Sequence, residues 1–355
     1  MRTVFGLMAV AGFAGWSAQA QEALSYSFSG RAGLGYLSHS TRSELGTGFE
    51  YKGPVLRVEG TGRIEVQAME DLQFGAIARM SFEKGTTANY DRLTPAGPVQ
   101  GGGDEFGGTD LDLAVFAALP RVTLSYGDME TAFDYATQEI GTGASILDGG
   151  NAVWMNIGDA AGSAGDRGYP GLGPVTSPDL RTLRADVQLG EITVSASRSE
   201  GTTRSGADIN VDAAGLVWRH EFEGTSILFG VGYDKGMMDR FRSFSFGLTS
   251  GGFNVVMNRI HREPIVINSG ITATYDTTFD GLSLSYDFGD VTLGVAHSSQ
   301  DRSGDGVFEG KARAVFASWQ ARENIAVDFE YSQSDYRISS GDDVRKASVA
   351  VALEF

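Results

Sequence analysis

Histidine is the residue type most ready for acid–base work, and the 355-residue chain has four of them, His39, His220, His261 and His297, with no cysteine at all. A hydrolase of the nucleophile–base–acid kind needs its three groups within hydrogen-bond reach. None of the four imidazoles lies in a nucleophile motif. His39 and His261 read as loop residues, His220 and His297 as residues near strand ends. No His–Glu spacing suits zinc. The stretches Gly101 to Glu105 and Asp301 to Asp305 gather oxygens in the manner of a calcium loop. They lack a full ligand spacing and read as solvated acidic loops. No glycine-rich stretch is followed by Lys-Ser or Lys-Thr, as a phosphate cradle requires. The expectation is therefore no catalytic residue, no metal and no cofactor.

Charge is what remains. Arg31, Arg57, Arg63, Arg79 and Arg184 each alternate with apolar neighbours, whereas Met129 to Leu180 carries Glu130, Asp134, Glu139, Asp148, Asp159, Asp166 and Asp179 against a single base, Arg167. A basic wall facing an acidic loop makes a field, not a reaction. The whole chain has 28 Lys+Arg against 45 Asp+Glu, a net charge of -17. That balance offers no basic footprint for a phosphate backbone, so nucleic acid is excluded as a partner.

The elements that would hold these charges read as strands. Gly is 49 and Pro only 8, which suits many paired strands and tight turns. Leu56 to Gln67 puts Leu56, Val58, Ile64 and Val66 on one face and Arg57, Glu59, Arg63, Glu65 and Gln67 on the other. Leu72 to Glu83 repeats the pattern with Phe74, Ala76, Ala78, Met80 and Phe82 opposite Gln73, Arg79 and Ser81. A soluble strand averages about 5 or 6 residues, while a tilted membrane strand needs about 9 to 11. Length decides for the membrane. The alternation recurs at Leu183 to Leu189, Ile192 to Ser197, Ile227 to Tyr233, Leu282 to Phe288, Val291 to Ser298, Ile325 to Tyr331 and Val349 to Phe355. It amounts to about sixteen strands.

Connections alternate in length. Tight links are expected at Met69 to Asp71, Leu119-Pro120, Gly190-Glu191, Glu221 to Gly224, Thr249 to Gly252, Gly289-Asp290 and Ala321 to Asn324. Long polar links fall between them, near 38–55, 84–109, 129–181, 200–207, 235–240, 260–272, 299–309 and 335–344. Short turns on one side of a membrane and long loops on the other are the habit of an outer-membrane barrel. Ahead of the strands, Arg2, the apolar run Val4 to Trp16 and Ala18-Gln19-Ala20 read as a secretory signal peptide over 1–20, leaving 21–355 as one barrel domain.

With these features the chain resembles the general porin family of Gram-negative bacteria. The residues that carry the resemblance are the exported start Glu22 to Tyr36, the hairpin Arg57 to Glu83, the long link after Tyr126-Gly127-Asp128, and the ending Val349 to Phe355. It implies an all-β fold, a transmembrane antiparallel barrel with a long inward-folded third loop. Its function would be passive diffusion of small hydrophilic solutes and ions across the outer membrane. It also implies a constriction where Glu130, Asp134, Glu139 and Asp148 face Arg31, Arg57, Arg63, Arg79 and Arg184. Phe355 would serve as the signal read by the barrel-assembly machinery, with a homotrimer set among outer-membrane lipid and lipopolysaccharide. Trp154-Met155-Asn156 and Tyr169-Pro170-Gly171 match no constriction motif. The alternatives are a solute-specific channel of the same fold and, from another class, an outer-membrane barrel enzyme.

Overall fold

A computed structural model of the chain describes residues 24–43, 48–86, 89–94, 97–101, 105–137, 181–202, 208–236, 239–264, 276–302, 309–337 and 342–355. The signal-peptide expectation over 1–20 lies outside them. Eighteen strands share one sheet. They are β1 (Leu24–Ser43), β2 (Gly48–Met69), β3 (Leu72–Thr86), β4 (Asn89–Thr94), β5 (Gly97–Gly101), β6 (Glu105–Leu119), β7 (Val122–Gly127), β8 (Arg181–Leu189) and β9 (Ile192–Thr202). The rest are β10 (Asp208–Phe222), β11 (Thr225–Lys235), β12 (Asp239–Ser250), β13 (Phe253–Pro264), β14 (Thr277–Asp287), β15 (Val291–Arg302), β16 (Glu309–Arg322), β17 (Ile325–Arg337) and β18 (Asp342–Glu354).

Every pairing is antiparallel, and β1 bonds to both β2 and β18, so the sheet closes on itself. The hairpin β4–β5 is an insertion: β3 pairs with β6, and β4 reaches back to the far end of β2 at Gly48 to Lys52. Without that hairpin the barrel has sixteen staves. Closure leaves no unpaired edge, which is why a sheet can stand in lipid at all.

The alternation maps onto the two sides of the wall. Leu34, Leu56, Phe74, Leu113, Leu124, Leu183, Val231, Phe244, Leu293, Val315, Phe329 and Val351 point outward and are exposed, as a lipid-facing surface is when lipid is absent. Their strand neighbours point into the lumen and are largely serine, threonine, glycine and charged residues.

Six of the seven tight links form where the sequence places them, from Glu70-Asp71 to Glu323-Asn324, and the one expected at Leu119-Pro120 forms a residue later, at Pro120-Arg121. Two show the turn chemistry plainly. Glu223 and Gly224 sit at φ 42 and 78, Gly251 and Gly252 at 56 and 83. A pair of left-handed residues matches the right-handed twist of the flanking strands. The long links are corrected at two places. Residues 38–55 are mostly strand, since β1 runs to Ser43 and β2 starts at Gly48, and 84–109 holds the hairpin β4–β5. Gly48, Gly53 and Pro54 interrupt the alternation at this end of β2, so the sequence there reads as a link.

Candidate functional site

The lumen-facing parity of β2, β3, β6 and β8 converges on one recess. Arg79 on β3 stands directly opposite Asp112 on β6, and Arg63 on β2 lies one strand away, opposite Ile77. Arg184 comes from β8, opposite Ser125. These side chains line a recess of about 350 Å³ with Phe116, Glu130, Tyr135 and Asp186. Arg63 lies over the Phe116 ring, 4.7 Å from its centroid, and Arg184 over the Tyr135 ring at 4.8 Å. Each guanidinium also has a carboxylate: Arg63 donates to Glu65, and Arg184 Nε to Asp186 at 3.1 Å.

Glu130 joins the two sides. It follows β7 by three residues, and its carboxylate accepts from Arg79 at 3.3 Å while its backbone carbonyl accepts from Arg184 at 3.2 Å. Both side chains of the Arg79–Glu130 pair are about half exposed. Such a pair contributes at most about 1 kcal/mol to stability, so its consequence is the local field.

The chain then turns through a single helical turn, α1 (Ala132–Ala136). Asp134, expected to be a constriction acid, serves here as a cap. Its carboxylate accepts from the Thr131 N–H at 3.0 Å while Thr131 Oγ1 accepts from the Asp134 N–H at 3.2 Å. α1 rests on the inward face of β9 to β12. The Ala132 N–H donates to Ser197 Oγ and Ser245 Oγ donates to the Ala136 carbonyl, both at 2.8 Å. Thr137 and Ser243 hydroxyls meet at 2.5 Å, and Phe133 packs edge-on against Phe241. The wall makes room with glycine. A Cβ at Gly230 would lie 1.9 Å from the Ala136 carbonyl oxygen, and one at Gly215 would lie 2.2 Å from that of Ala132.

Arg31 and Arg57 belong elsewhere. Arg31 donates at 2.6 Å to Asp328 of β17, a fully buried carboxylate that also accepts from Ser318 Oγ at 2.9 Å. Arg57 bonds Glu59 at 2.6 Å on its own strand. The recess thus gathers Arg63, Arg79, Arg184 and Glu130 and leaves those two out. Glu139 and Asp148 lie outside the described residues, as do parts of both acidic loops weighed for calcium. Asp112 and Asp186 complete the recess and were missed. Each alternates with apolar neighbours, Leu111 and Leu113 or Ala185 and Val187, so parity alone could have found them.

Phe355 closes the seam. Its N–H donates to the Gly30 carbonyl at 3.0 Å, Gly30 donates back at 2.8 Å, and its ring stacks on Phe28 at 5.7 Å. At the same rim Glu191, in the β8–β9 turn, accepts from Trp218 Nε1 at 3.0 Å and meets His220 Nδ1 at 2.7 Å. The bond to His220 holds its carboxyl below the usual carboxylate range, with Trp218 adding to it and partial desolvation opposing.

A family model described as Gram-negative porin matches residues 6–355. The chain belongs to the Gram-negative porin family. No curated protein matches it. Among solved structures, the porin is similar to a mutant of the Rh. blastica porin with 16% identity and a TM-score of 0.53, covering 93% of this chain and 100% of that one. A porin refined at 1.8 Å gives 16% identity, a TM-score of 0.58 and the same coverage. Pseudomonas aeruginosa OccK7 gives 10% identity and 0.53 over 92% of this chain and 98% of that one. At such identities the likeness is one of fold. Family and barrel together make this a multi-pass protein of the bacterial outer membrane and a pore.

Proposed function

We propose that this porin is a general diffusion pore for small hydrophilic solutes and ions, narrowest where Arg63, Arg79 and Arg184 face Glu130, Asp112 and Asp186. The observation that carries the reading is the Arg79–Glu130 contact: the first acid of the third long link reaches the arginine wall while α1 is seated on β9 to β12. Opposed charges across a narrow lumen partly cancel as net potential yet leave a transverse field, because the low-dielectric wall limits screening. Such a field orders water and disfavours apolar solutes, and walls of charge set ion preference in pores. The acidic surplus favours modest cation preference.

In this reading residues 1–20 direct export and are removed, and Phe355 is the assembly signal. The porin works as a homotrimer through the small outward residues of β1 to β3, surrounded by outer-membrane lipid and lipopolysaccharide. Solute flux through refolded protein in liposomes tests the function. Flux falling smoothly with solute size supports a general pore. Saturation with concentration would instead mark a solute-specific channel, the reading favoured by the Arg63–Phe116 and Arg184–Tyr135 stacks as a binding shelf.

A further inference from the structure

Most of the wall positions around the recess are polar, and Phe116 is an exception: β6 turns a large ring toward the lumen, yet only 7% of that residue is exposed. The register explains how the ring is covered. Phe116 stands directly opposite Gly75 of β3, and its ring lies across that glycine. A Cβ built at Gly75 would be 2.3 Å from Cζ of the ring and 2.7 Å from the Ile64 carbonyl oxygen of β2. Any side chain at position 75 would occupy the place of the ring, so the strand carries glycine there to let the aromatic group approach the backbone.

Over the same ring lies Arg63, its guanidinium carbon 4.7 Å from the centroid. A guanidinium over an aromatic face is attracted by the ring quadrupole. Arg63 also bonds the Glu65 carboxylate, two residues on along the same face. That second contact is common in this lumen, since Arg57 makes it with Glu59 and Arg184 with Asp186. It does not single Arg63 out. The ring does, because it is itself fixed against the wall. Tyr135 meets Arg184 in a similar way at 4.8 Å, but it belongs to α1 and is 39% exposed.

Arg63, Arg79 and Arg184 share one recess, and like charges at close range repel. An arginine without an anchor would swing toward the wider lumen, where water and salt screen it. A guanidinium held at one place gives a directed field, whereas a mobile one spreads its charge. We infer that Phe116, laid flat on Gly75, is a positioning residue that holds the Arg63 guanidinium at the recess, so that an uncharged ring helps to set the ion preference of the pore. The inference rests on the reading of the recess as the narrowest part of the lumen. It adds to that reading a residue that carries no charge and acts through its neighbour.

The test is the reversal potential in a planar bilayer under a salt gradient, for the native porin, Arg63→Ser, Phe116→Leu and the double variant. Arg63→Ser shifts the potential toward cation preference in the native background. In the Phe116→Leu background the same substitution gives less than half of that shift, because the charge it removes is no longer held in place. Phe116→Met fills similar space without a ring, gives the same result, and serves should the leucine variant fail to assemble. Arg79→Ser keeps its full effect in either ringless background, which separates the loss of one anchor from a general distortion of the barrel. An undiminished Arg63→Ser shift in a ringless background would overturn the inference, and so would equal blunting of the Arg63 and Arg79 shifts. No shift from Arg63→Ser in the native background would overturn the reading of the recess itself, and the inference with it.

Discussion

Single side chains at the periplasmic rim do two separable jobs. Phe355 exchanges two backbone bonds with Gly30 and stacks on Phe28, so it closes the β1–β18 seam besides serving as the proposed assembly signal. Replacing it by a charge should lower the amount of heat-modifiable, protease-resistant barrel in the outer membrane while leaving the conductance of assembled pores unaltered. Native amounts of resistant barrel would contradict this. Glu191 carries a pH dependence. Its folded carboxyl is held below the usual range by His220, so its contribution is present above the unfolded carboxylate pKa and is lost as pH falls through the lower folded value. Glu191→Gln should therefore narrow the gap in unfolding temperature between neutral buffer and buffer acidic enough to protonate ordinary carboxylates. The effect is small, since the group is exposed, and a gap of native size would refute the assignment.

At the scale of elements, α1 at the described start of the link after β7 is seated by backbone contacts and by glycine in the wall. Gly215, Gly230 and Gly232 leave a seat that α1 fills, and Ser197, Ser243 and Ser245 satisfy its ends. Gly230→Ala puts a methyl group where the Ala136 carbonyl lies, and the wall strand cannot retreat without breaking its pairing with β10 and β12. The helix should lift from the wall, with a changed and noisier single-channel conductance. A record indistinguishable from native would show that α1 tolerates the methyl in place.

Much of this was legible beforehand. Period-two alternation located β2, β3, β8, β9, β11, β14, β15, β17 and β18, because lipid and lumen impose opposite demands on successive residues, and the tight turns bracketed the other staves. It also put Arg63, Arg79 and Arg184 on the lumen side. Parity gives the face and not the partner, however, so Arg31 was grouped with a wall from which Asp328, nearly three hundred residues later, removes it. The acidity of Asp134 pointed to the pore, and parity gave no sign that Thr131, three residues earlier, also uses its carboxylate in a cap. The hairpin β4–β5 lies above the apolar band, where no alternation marks it.

As a whole molecule the porin is a barrel with small outward residues along β1 to β3, and the Phe28 ring already lies 3.3 Å from where a Cβ at Gly60 would sit. Gly60→Trp should push that ring outward into a neighbouring barrel and give monomers in detergent by light scattering, and persistent trimers would place the interface elsewhere. The central claim concerns the inside: the field at the recess, set by Arg63, Arg79 and Arg184 against Glu130, governs passage. Neutralising Glu130 should shift preference toward anions, and that shift should shrink in molar salt, where the screening length is about 3 Å. Arg57, bonded to Glu59 outside the recess, should matter less. The most direct measurement is the conductance and reversal potential of the Arg63→Ser, Arg79→Ser, Arg184→Ser triple variant in a planar bilayer under a salt gradient. The account requires a larger conductance and a stronger cation preference than native, because only positive lumen charge and bulk are removed. Native values of both would mean that these residues do not line the narrowest part of the pore.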